Sequence, residues 1–189
     1  MRKILSESEK ARKRRSGQLV IGVVLIILML FSSVGYAFLN NTDSTSVNRV
    51  NYNGLDFSSD GYYWYFEKYD KEFITSYNPQ DLEDEGISFS SSFDITDYDG
   101  AVVYYVGEMN EGIVEIDSNL NSYLLRSSRA CIGECEEDLP IKGCVDNLIV
   151  FEESDNERIY QRDKCVFIAS KVQNRLKYAD AFLFDALGI

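Results

Sequence analysis

An uncharged apolar run near the N-terminus constrains this chain more than any other feature. Leu19 to Leu39 contains 21 consecutive residues without a charged side chain. A helix of that length spans ~31 Å at ~1.5 Å per residue, which matches the ~30 Å hydrocarbon core of a bilayer. Residues 18–39 therefore predict one transmembrane helix, with the lipid bilayer as its partner.

The basic residues that flank this run lie on one side of it. Residues 1–17 carry seven basic and two acidic side chains, whereas residues 40–48 carry no basic one. Basic flanks are retained in the cytoplasm, so we expect a cytoplasmic N-terminus and a C-terminal domain outside the cell. Two alternatives stay open: a signal peptide cleaved near Gly35-Tyr36-Ala37, and a pilin-type leader processed near Gly17-Gln18. The run is longer than the apolar region of a signal peptide, which is usually ~7–15 residues, and this favours an uncleaved anchor in the cell membrane.

The rest of the chain differs sharply from the basic tail in its charge. After residue 17 there are 12 basic and 29 acidic side chains, a formal charge of −17. Nucleic-acid binding needs clustered Lys and Arg, so we expect no nucleic-acid partner. Residues 40–48 predict a polar linker, and residues 49–189, rich in aromatic side chains, predict one extracytoplasmic domain.

Alternating apolar and polar residues predict most of the strands of this domain. Val50–Phe57 and Tyr62–Lys68 predict a hairpin across Ser58–Gly61, and the chain turns again at Tyr69-Asp70. The last two predicted strands form a second hairpin across Ser154–Asn156. The further predicted strands are Lys71–Tyr77, Ile87–Ile95, Ala101–Val106, Gly112–Asp117, Asn147–Glu152 and Arg158–Ala169.

Capping signals and apolar periodicity predict three helices in the same domain. The first begins at Asn78-Pro79 and runs to Glu85, and the second runs from Asp117 or Ser118 to about Ala130. The third has apolar residues at helical spacing, namely Val172, Leu176, Ala179, Phe182, Leu183, Ala186 and Leu187. The expected fold class is α+β: a mixed sheet of hairpins and strand–helix–strand units with flanking helices, preceded by one transmembrane helix.

The four cysteines are the most specific signal in the domain. Cys131, Cys135, Cys144 and Cys165 all lie on the translocated side, where an even number predicts two disulfides with three connectivities open. We expect the Cys131–Cys144 loop to be joined to itself and to the final pair of strands. A zinc site and a redox pair are the alternatives. Only Cys131 and Cys135 have finger-like spacing, and that spacing is one residue too long for Cys-x-x-Cys.

The chain contains no histidine, which excludes Ser–His–Asp and Cys–His catalysis.

An acidic run at Glu134, Glu136, Glu137 and Asp138 is interpreted as a solvated loop, with a cation or partner surface as the alternative. Asp97, Asp99 and Gly100 match the third, fifth and sixth positions of an EF-hand loop. Ile95 and Val106 then occupy its first and twelfth positions, so the match fails. We expect no catalytic residue, no metal site and no cofactor.

Four stretches of the domain carry a resemblance to known proteins, namely Ala130–Cys135, Leu139–Cys144, Arg158–Ile168 and Ala179–Ile189. They resemble uncharacterised single-pass membrane proteins of small-genome archaea. The resemblance is loose over the apolar run and closer over the last ~60 residues, and it implies membrane placement and a cysteine framework but no activity.

These observations favour a structural or interaction module at the cell surface, with a membrane or envelope protein as its partner. The aromatic residues Tyr62, Tyr63, Trp64 and Tyr65 form a candidate contact face, and Phe182–Phe184 form either a docking site or part of the core. The alternative is a membrane-anchored extracytoplasmic enzyme that uses carboxylates or a bound cation. It would require a concave pocket with two or more acids of perturbed pKa.

Overall fold

The computed structural model describes residues 21–29 and 48–189. The chain divides into two compact units, Met1–Thr45 and Ser46–Ile189. In the first unit, residues 21–29 are helical and most of their apolar side chains are exposed. Within the described parts of the chain, no helix is both long enough and apolar enough to cross a membrane. Most of the predicted anchor at residues 18–39 lies outside the described residues, as do the tail and most of the linker.

The second unit contains two large sheets, a two-stranded pair and four α-helices, so the α+β class is confirmed. The predicted single mixed sheet is wrong, because the first four strands form an antiparallel sheet of their own, apart from the sheet that holds the strand–helix–strand unit. The strands are β1 (Asn48–Tyr52), β2 (Leu55–Ser59), β3 (Trp64–Lys68), β4 (Lys71–Thr75), β5 (Val102–Val106), β6 (Arg126–Arg129), β7 (Cys131–Ile132), β8 (Ile141–Lys142), β9 (Asn147–Glu153), β10 (Arg158–Arg162) and β11 (Cys165–Ser170). The α-helices are α1 (Pro79–Asp84), α2 (Ile95–Tyr98), α3 (Glu111–Leu120) and α4 (Arg175–Ala186), and a 3-10 turn spans Val172–Asn174.

The first sheet is an antiparallel meander in the order β1-β2-β3-β4. The predicted hairpin between β2 and β3 and the turn at Tyr69-Asp70 are confirmed. The single strand predicted over Val50–Phe57 is wrong, because the chain turns at Asn53-Gly54 and β1 pairs with β2. Both turn residues have positive φ angles, 50° and 82°, which Asn and Gly adopt more readily than other residues.

The second sheet has the order β10-β11-β9-β5-β6. Four of its strands are parallel, and only the edge strand β10 is antiparallel to its neighbour β11. The predicted hairpin across Ser154–Asn156 is therefore wrong. The segment predicted as one strand, Arg158–Ala169, turns at Asp163-Lys164, and its second half pairs with β9 in parallel. The continuously apolar strand β5 is central and buried, as predicted.

Helix α1 is confirmed, and the Asn78 side chain caps its first turn by accepting a hydrogen bond from the Asp81 amide. The strand predicted over Ile87–Ile95 is wrong, because this segment is irregular and leads into α2. The predictions around α3 are also wrong: Gly112–Asp117 is helical rather than extended, and the segment up to Ala130 holds strand β6. Gly112 lets α3 pack closely, since a Cβ there would lie 2.8 Å from the Phe151 ring.

The main core lies between the meander, helices α3 and α4, and one face of the second sheet. Helix α4 is buried from Ala179 onward except at Asp185, and the interpretation of Phe182–Phe184 as packed core residues is confirmed. The opposite face of the second sheet holds a smaller core that includes Tyr104 and Phe167. Stacking of Tyr160 on Phe167, with ring centroids 4.8 Å apart, covers part of that face.

The cysteines form two disulfides, Cys131–Cys135 and Cys144–Cys165. The first closes a short loop onto itself. The second joins Cys144, which follows β8, to the buried Cys165 at the start of β11. The expected arrangement is therefore present, with one loop joined to itself and to the final pair of strands. Disulfides persist in oxidising compartments, so they indicate an extracellular or otherwise oxidising environment.

Candidate interaction groove beside strand β6

Strand β6 is an edge of the second sheet, and its sequence, Arg-Ser-Ser-Arg, is polar. It pairs with β5 on one side, from Val102↔Arg126 to Tyr105↔Arg129. On its other side, no strand among residues 48–189 pairs with it. An open edge presents unpaired backbone N–H and C=O groups, which are available to a further strand.

A groove of about 220 Å³ runs along this edge, between β6 and helix α3. Tyr105 and Ile113 form its floor. Met109 and Val114 are exposed apolar side chains that line it, and Leu125 is exposed at the start of β6. The remaining lining residues are Asp117, Ser118, Ser127, Ser128 and Arg129. The groove thus combines exposed apolar side chains, several polar side chains and an open strand edge.

Three polar atoms of this lining are buried and lack a hydrogen-bond partner of acceptable geometry among the described residues. They are the Tyr105 hydroxyl, Asp117 Oδ1 and Arg129 Nε. Tyr105 is only 3% exposed, and burial raises the pKa of its phenol, while the charge of Asp117 and a hydrogen bond from the phenol to that carboxylate raise it further. Tyr105 and Asp117 are therefore each other's partners beneath the groove, and Arg129 Nε lies near them on β6.

The terminal nitrogens of Arg129 are held by the cysteine loop. Both bond to the Glu137 carboxylate, each at 3.0 Å, in a bidentate pair. This contact aligns the guanidinium beside β6 and leaves its Nε facing away from the loop. The acidic run predicted as a solvated loop therefore contributes one positioning residue, while Glu134, Glu136 and Asp138 are exposed.

The side of α3 that faces away from the groove contacts β4 and covers the edge of that strand. The Asn119 side chain accepts from the Ile74 amide at 2.9 Å and donates to the Ile74 carbonyl at 2.7 Å, so that it occupies the edge of β4 as another strand would. One turn earlier, Glu115 accepts from the Ser76 amide at 2.6 Å. Asp180 of α4 accepts from the amides of Ser76 and Tyr77 at 3.1 and 2.9 Å.

Asp180 is fully buried and is the most perturbed carboxyl of the described residues. Desolvation raises its pKa well above the ordinary value, and the adjacent Glu115 raises it further, although the two backbone amides act in the opposite direction. This carboxyl lies beside Glu115 of α3 and joins α4 to the segment after β4 through its two backbone hydrogen bonds. Its partners are internal, so the pair has a structural role.

The other predicted candidate residues lie apart from the groove. Tyr62 and Tyr63 are exposed in the turn before β3, whereas Trp64 packs against the main core. Asp97 belongs to a capping box with Asp94 at the start of α2. Within residues 21–29 and 48–189, no three His, Cys, Asp or Glu side chains gather as a metal ion would require.

The sequence does not predict the groove, because the predicted secondary structure is wrong for both α3 and β6. Two signals for α3 were present. Asn110 caps the helix by accepting from the Ile113 amide at 3.1 Å, and Ile113, Ile116 and Leu120 recur at helical spacing. The polar segment Arg126–Arg129 carries no local strand signal, and its pairing with β5 alone determines its conformation.

Comparisons of the chain with known protein families, with characterised proteins and with solved structures give no match. The site is therefore interpreted from its own geometry and chemistry.

Proposed function

We propose that this protein is an interaction module that is anchored in the cell membrane and displays its α+β domain outside the cell. The uncharged run Leu19–Leu39, the basic residues before it and the exposed apolar side chains of helical residues 21–29 support the anchor. The disulfides support the oxidising side of the membrane. The resemblance to archaeal single-pass membrane proteins implies the same placement.

The groove beside β6 carries the proposed interaction. It joins an open strand edge to the exposed apolar side chains of Met109 and Val114 and to the polar side chains of Ser127 and Arg129. Interfaces concentrate binding energy in such partly enclosed sites, where apolar contacts surround a few hydrogen-bonding groups. An envelope or membrane protein beside the anchor is the class of partner that the placement makes available.

The alternative, an extracytoplasmic enzyme, requires accessible acids of perturbed pKa. The acid that meets the pKa condition best is Asp180, which is fully buried and bonded to the backbone of Ser76 and Tyr77. A substrate cannot reach this carboxyl without opening the core between α3 and α4. The geometry therefore favours binding over catalysis.

Site-specific photo-crosslinking in native membranes tests the proposed function. A photoreactive residue replaces Val114, which is 58% exposed in the groove, or Val145, which is 85% exposed next to Cys144 and serves as the matched control. We expect a discrete adduct of defined mass from position 114 that position 145 does not give. Equal labelling from both positions, or no adduct from either, contradicts the proposal.

The placement has a separate test in the intact mass of the protein from native membranes, measured with and without reductant and alkylation. A full-length mass with both disulfides intact agrees with an anchored domain in an oxidising compartment. A mass that lacks the first ~37 residues shows a released domain and contradicts the anchor. Free thiols in the unreduced protein contradict the oxidising placement.

A further inference from the structure

We propose that the turn between β2 and β3 is a membrane-docking surface, whose Tyr62 and Tyr63 rings lie among the lipid headgroups beside the anchor. This inference rests on the proposed anchor and adds a second contact with the bilayer, made by the domain itself. It is carried by the position of two exposed rings in the meander and by the length of chain between the apolar run and β1.

The turn lies at the same end of the meander as the start of the domain. Asn48, the first residue of β1, pairs with Ser59, and Ser59 pairs on its other side with Trp64. Adjacent strands are ~4.8 Å apart, so Asn48 and Trp64 lie only ~10 Å from each other. Tyr62 and Tyr63 immediately precede Trp64 in the turn that continues beyond this row of the sheet.

The chain before Asn48 limits how far this end can lie from the bilayer. Asn48 is the ninth residue after Leu39, the last residue of the apolar run, and nine residues span at most ~32 Å when fully extended. With the run in the membrane, the start of β1 therefore stays within that reach of the membrane surface, and the turn lies beside it. The turn at Tyr69-Asp70 is at the opposite end of β3.

The two rings are exposed on a turn that is already ordered. Tyr62 is 84% exposed and Tyr63 is 46% exposed. Asp60 Oδ1 accepts from both of their amides at 2.9 Å, and Asp60 Oδ2 accepts from the Tyr65 hydroxyl at 2.8 Å. An ordered turn loses little conformational entropy on docking. Tyr is typical of the membrane–water interface, because its ring is apolar and its hydroxyl stays hydrated.

This end of the meander also carries fewer charges than the other. Between Ser58 and Trp64, Asp60 is the one charged side chain, and both of its oxygens accept hydrogen bonds within the hairpin. Around the opposite turn, residues 66–73 carry three acidic and two basic side chains. Because charged groups lose hydration at a lipid surface, the aromatic turn approaches that surface more readily.

Fluorescence quenching by brominated lipids tests this proposal on the full-length protein in phosphatidylcholine vesicles. Trp64 is the single tryptophan of the chain, so Trp64→Phe provides a background without tryptophan emission. Tyr62→Trp in that background places the probe in the turn. Tyr69→Trp is the matched control, because Tyr69 is also an exposed turn residue but lies at the other end of β3.

We expect lipids brominated near the headgroup to reduce the emission of Tyr62→Trp by about half and that of Tyr69→Trp by less than about a tenth. Lipids brominated near the methyl end of the acyl chain should quench less, because an interfacial ring lies at headgroup depth. Equal quenching of the two variants, no quenching of either, or stronger quenching by the deep bromines overturns the inference. Urea denaturation of each variant shows whether the fold is intact.

Photo-crosslinking in native membranes provides a second measurement that retains Trp64 and does not depend on the background variant. A benzophenone residue replaces either Tyr62 or Tyr69. We expect an adduct with the mass of one membrane lipid from position 62 and none from position 69. An adduct of position 62 with another protein or with a second copy of this chain, without a lipid adduct, overturns the inference.

Extraction with alkaline carbonate separates this inference from the proposed function. If the protein stays in the vesicles and Tyr62→Trp is not quenched, the docking turn alone is contradicted, and the adduct expected at position 114 is unaffected. If extraction releases the protein, the chain is not anchored, and the proposed placement fails together with this inference.

Discussion

The two sides of helix α3 differ in their contact with the neighbouring strands: one side covers a strand edge, and the other leaves a strand edge open. On one side, Asn119 bonds to both backbone groups of Ile74 and closes the edge of β4. On the other side, Val114 and Asp117 line a groove along β6, whose outer edge has no paired strand among the described residues. The same ten-residue helix thus completes one sheet and leaves the other incomplete.

This difference separates groups that stabilise the fold from groups available to a ligand. Open edges favour aggregation, and proteins usually cover or charge them. Here the β4 edge is covered from within, whereas the β6 edge has only its flanking arginines and a polar sequence. Substitutions on the closed side should therefore reduce the free energy of unfolding, and substitutions on the open side should change binding alone.

The largest expected effect is that of Asn119→Ala. The substitution removes the bonds to the Ile74 amide and carbonyl and a further bond to the Glu115 carbonyl at 2.9 Å. We expect the free energy of unfolding to fall by about 3 kcal/mol, measured by urea denaturation. Asn121→Ala, on an exposed residue just after the same helix, is the matched control and should cost less than ~0.5 kcal/mol. Equal costs would show that Asn119 does not close this edge.

Asp180→Leu should have the next largest effect. It leaves the Tyr77 amide without its acceptor, while the Ser76 amide keeps Glu115. We expect a loss of about 2 kcal/mol. Asp180→Asn retains an acceptor for both amides and should be close to wild type at acidic pH. If Asp180→Asn destabilises as much as Asp180→Leu, the backbone bonds are not the reason that this residue matters.

The pH dependence of stability should show a smaller effect with a defined sign. The pKa of Asp180 is raised in the fold by desolvation and by Glu115, so above pH ~3.8 the folded protein holds more protons than the unfolded chain. This contribution to stability is therefore largest in acid and is lost as the pH rises through the folded pKa. Asp180→Asn should gain stability relative to wild type over that range in paired denaturation curves. A constant difference would contradict the raised pKa.

The smallest expected effect on stability is that of Val114→Arg. Val114 is exposed on the open side, and Arg forms helices at least as readily as Val. We expect a change below ~0.5 kcal/mol, matched by Val145→Arg, but loss of the crosslinked adduct only for Val114→Arg. Destabilisation by Val114→Arg alone would mean that this wall of the groove belongs to the folded core rather than to a binding site.

Local signals were enough to predict most of the meander and helices α1 and α4. The turns at Ser58–Gly61 and Tyr69-Asp70, the cap at Asn78-Pro79 and the apolar periodicity of α4 all lie within a few residues of the elements they define. The miss at Asn53-Gly54 was avoidable, because this dipeptide is a strong hairpin signal.

The second sheet could not be predicted in the same way, since its pairings join residues far apart in sequence. β11 lies between β9 and β10 with both of its faces buried, and no turn residue specifies that strand order. β6 is extended only because β5 pairs with it. The groove lies between α3 and β6, so it could not be predicted without them. The presence of two disulfides, in contrast, could be predicted from the number of cysteines and their compartment alone.

Hydrogen exchange at the two edges tests the central claim most directly, namely that β6 is an edge completed by a partner. Exchange of Arg126–Arg129 and Lys71–Thr75 is compared between native membranes and protein purified in detergent. The account predicts that β6 is protected in native membranes and exchanges faster after purification, while β4 exchanges equally in both. Equal exchange of β6 in the two preparations would contradict it.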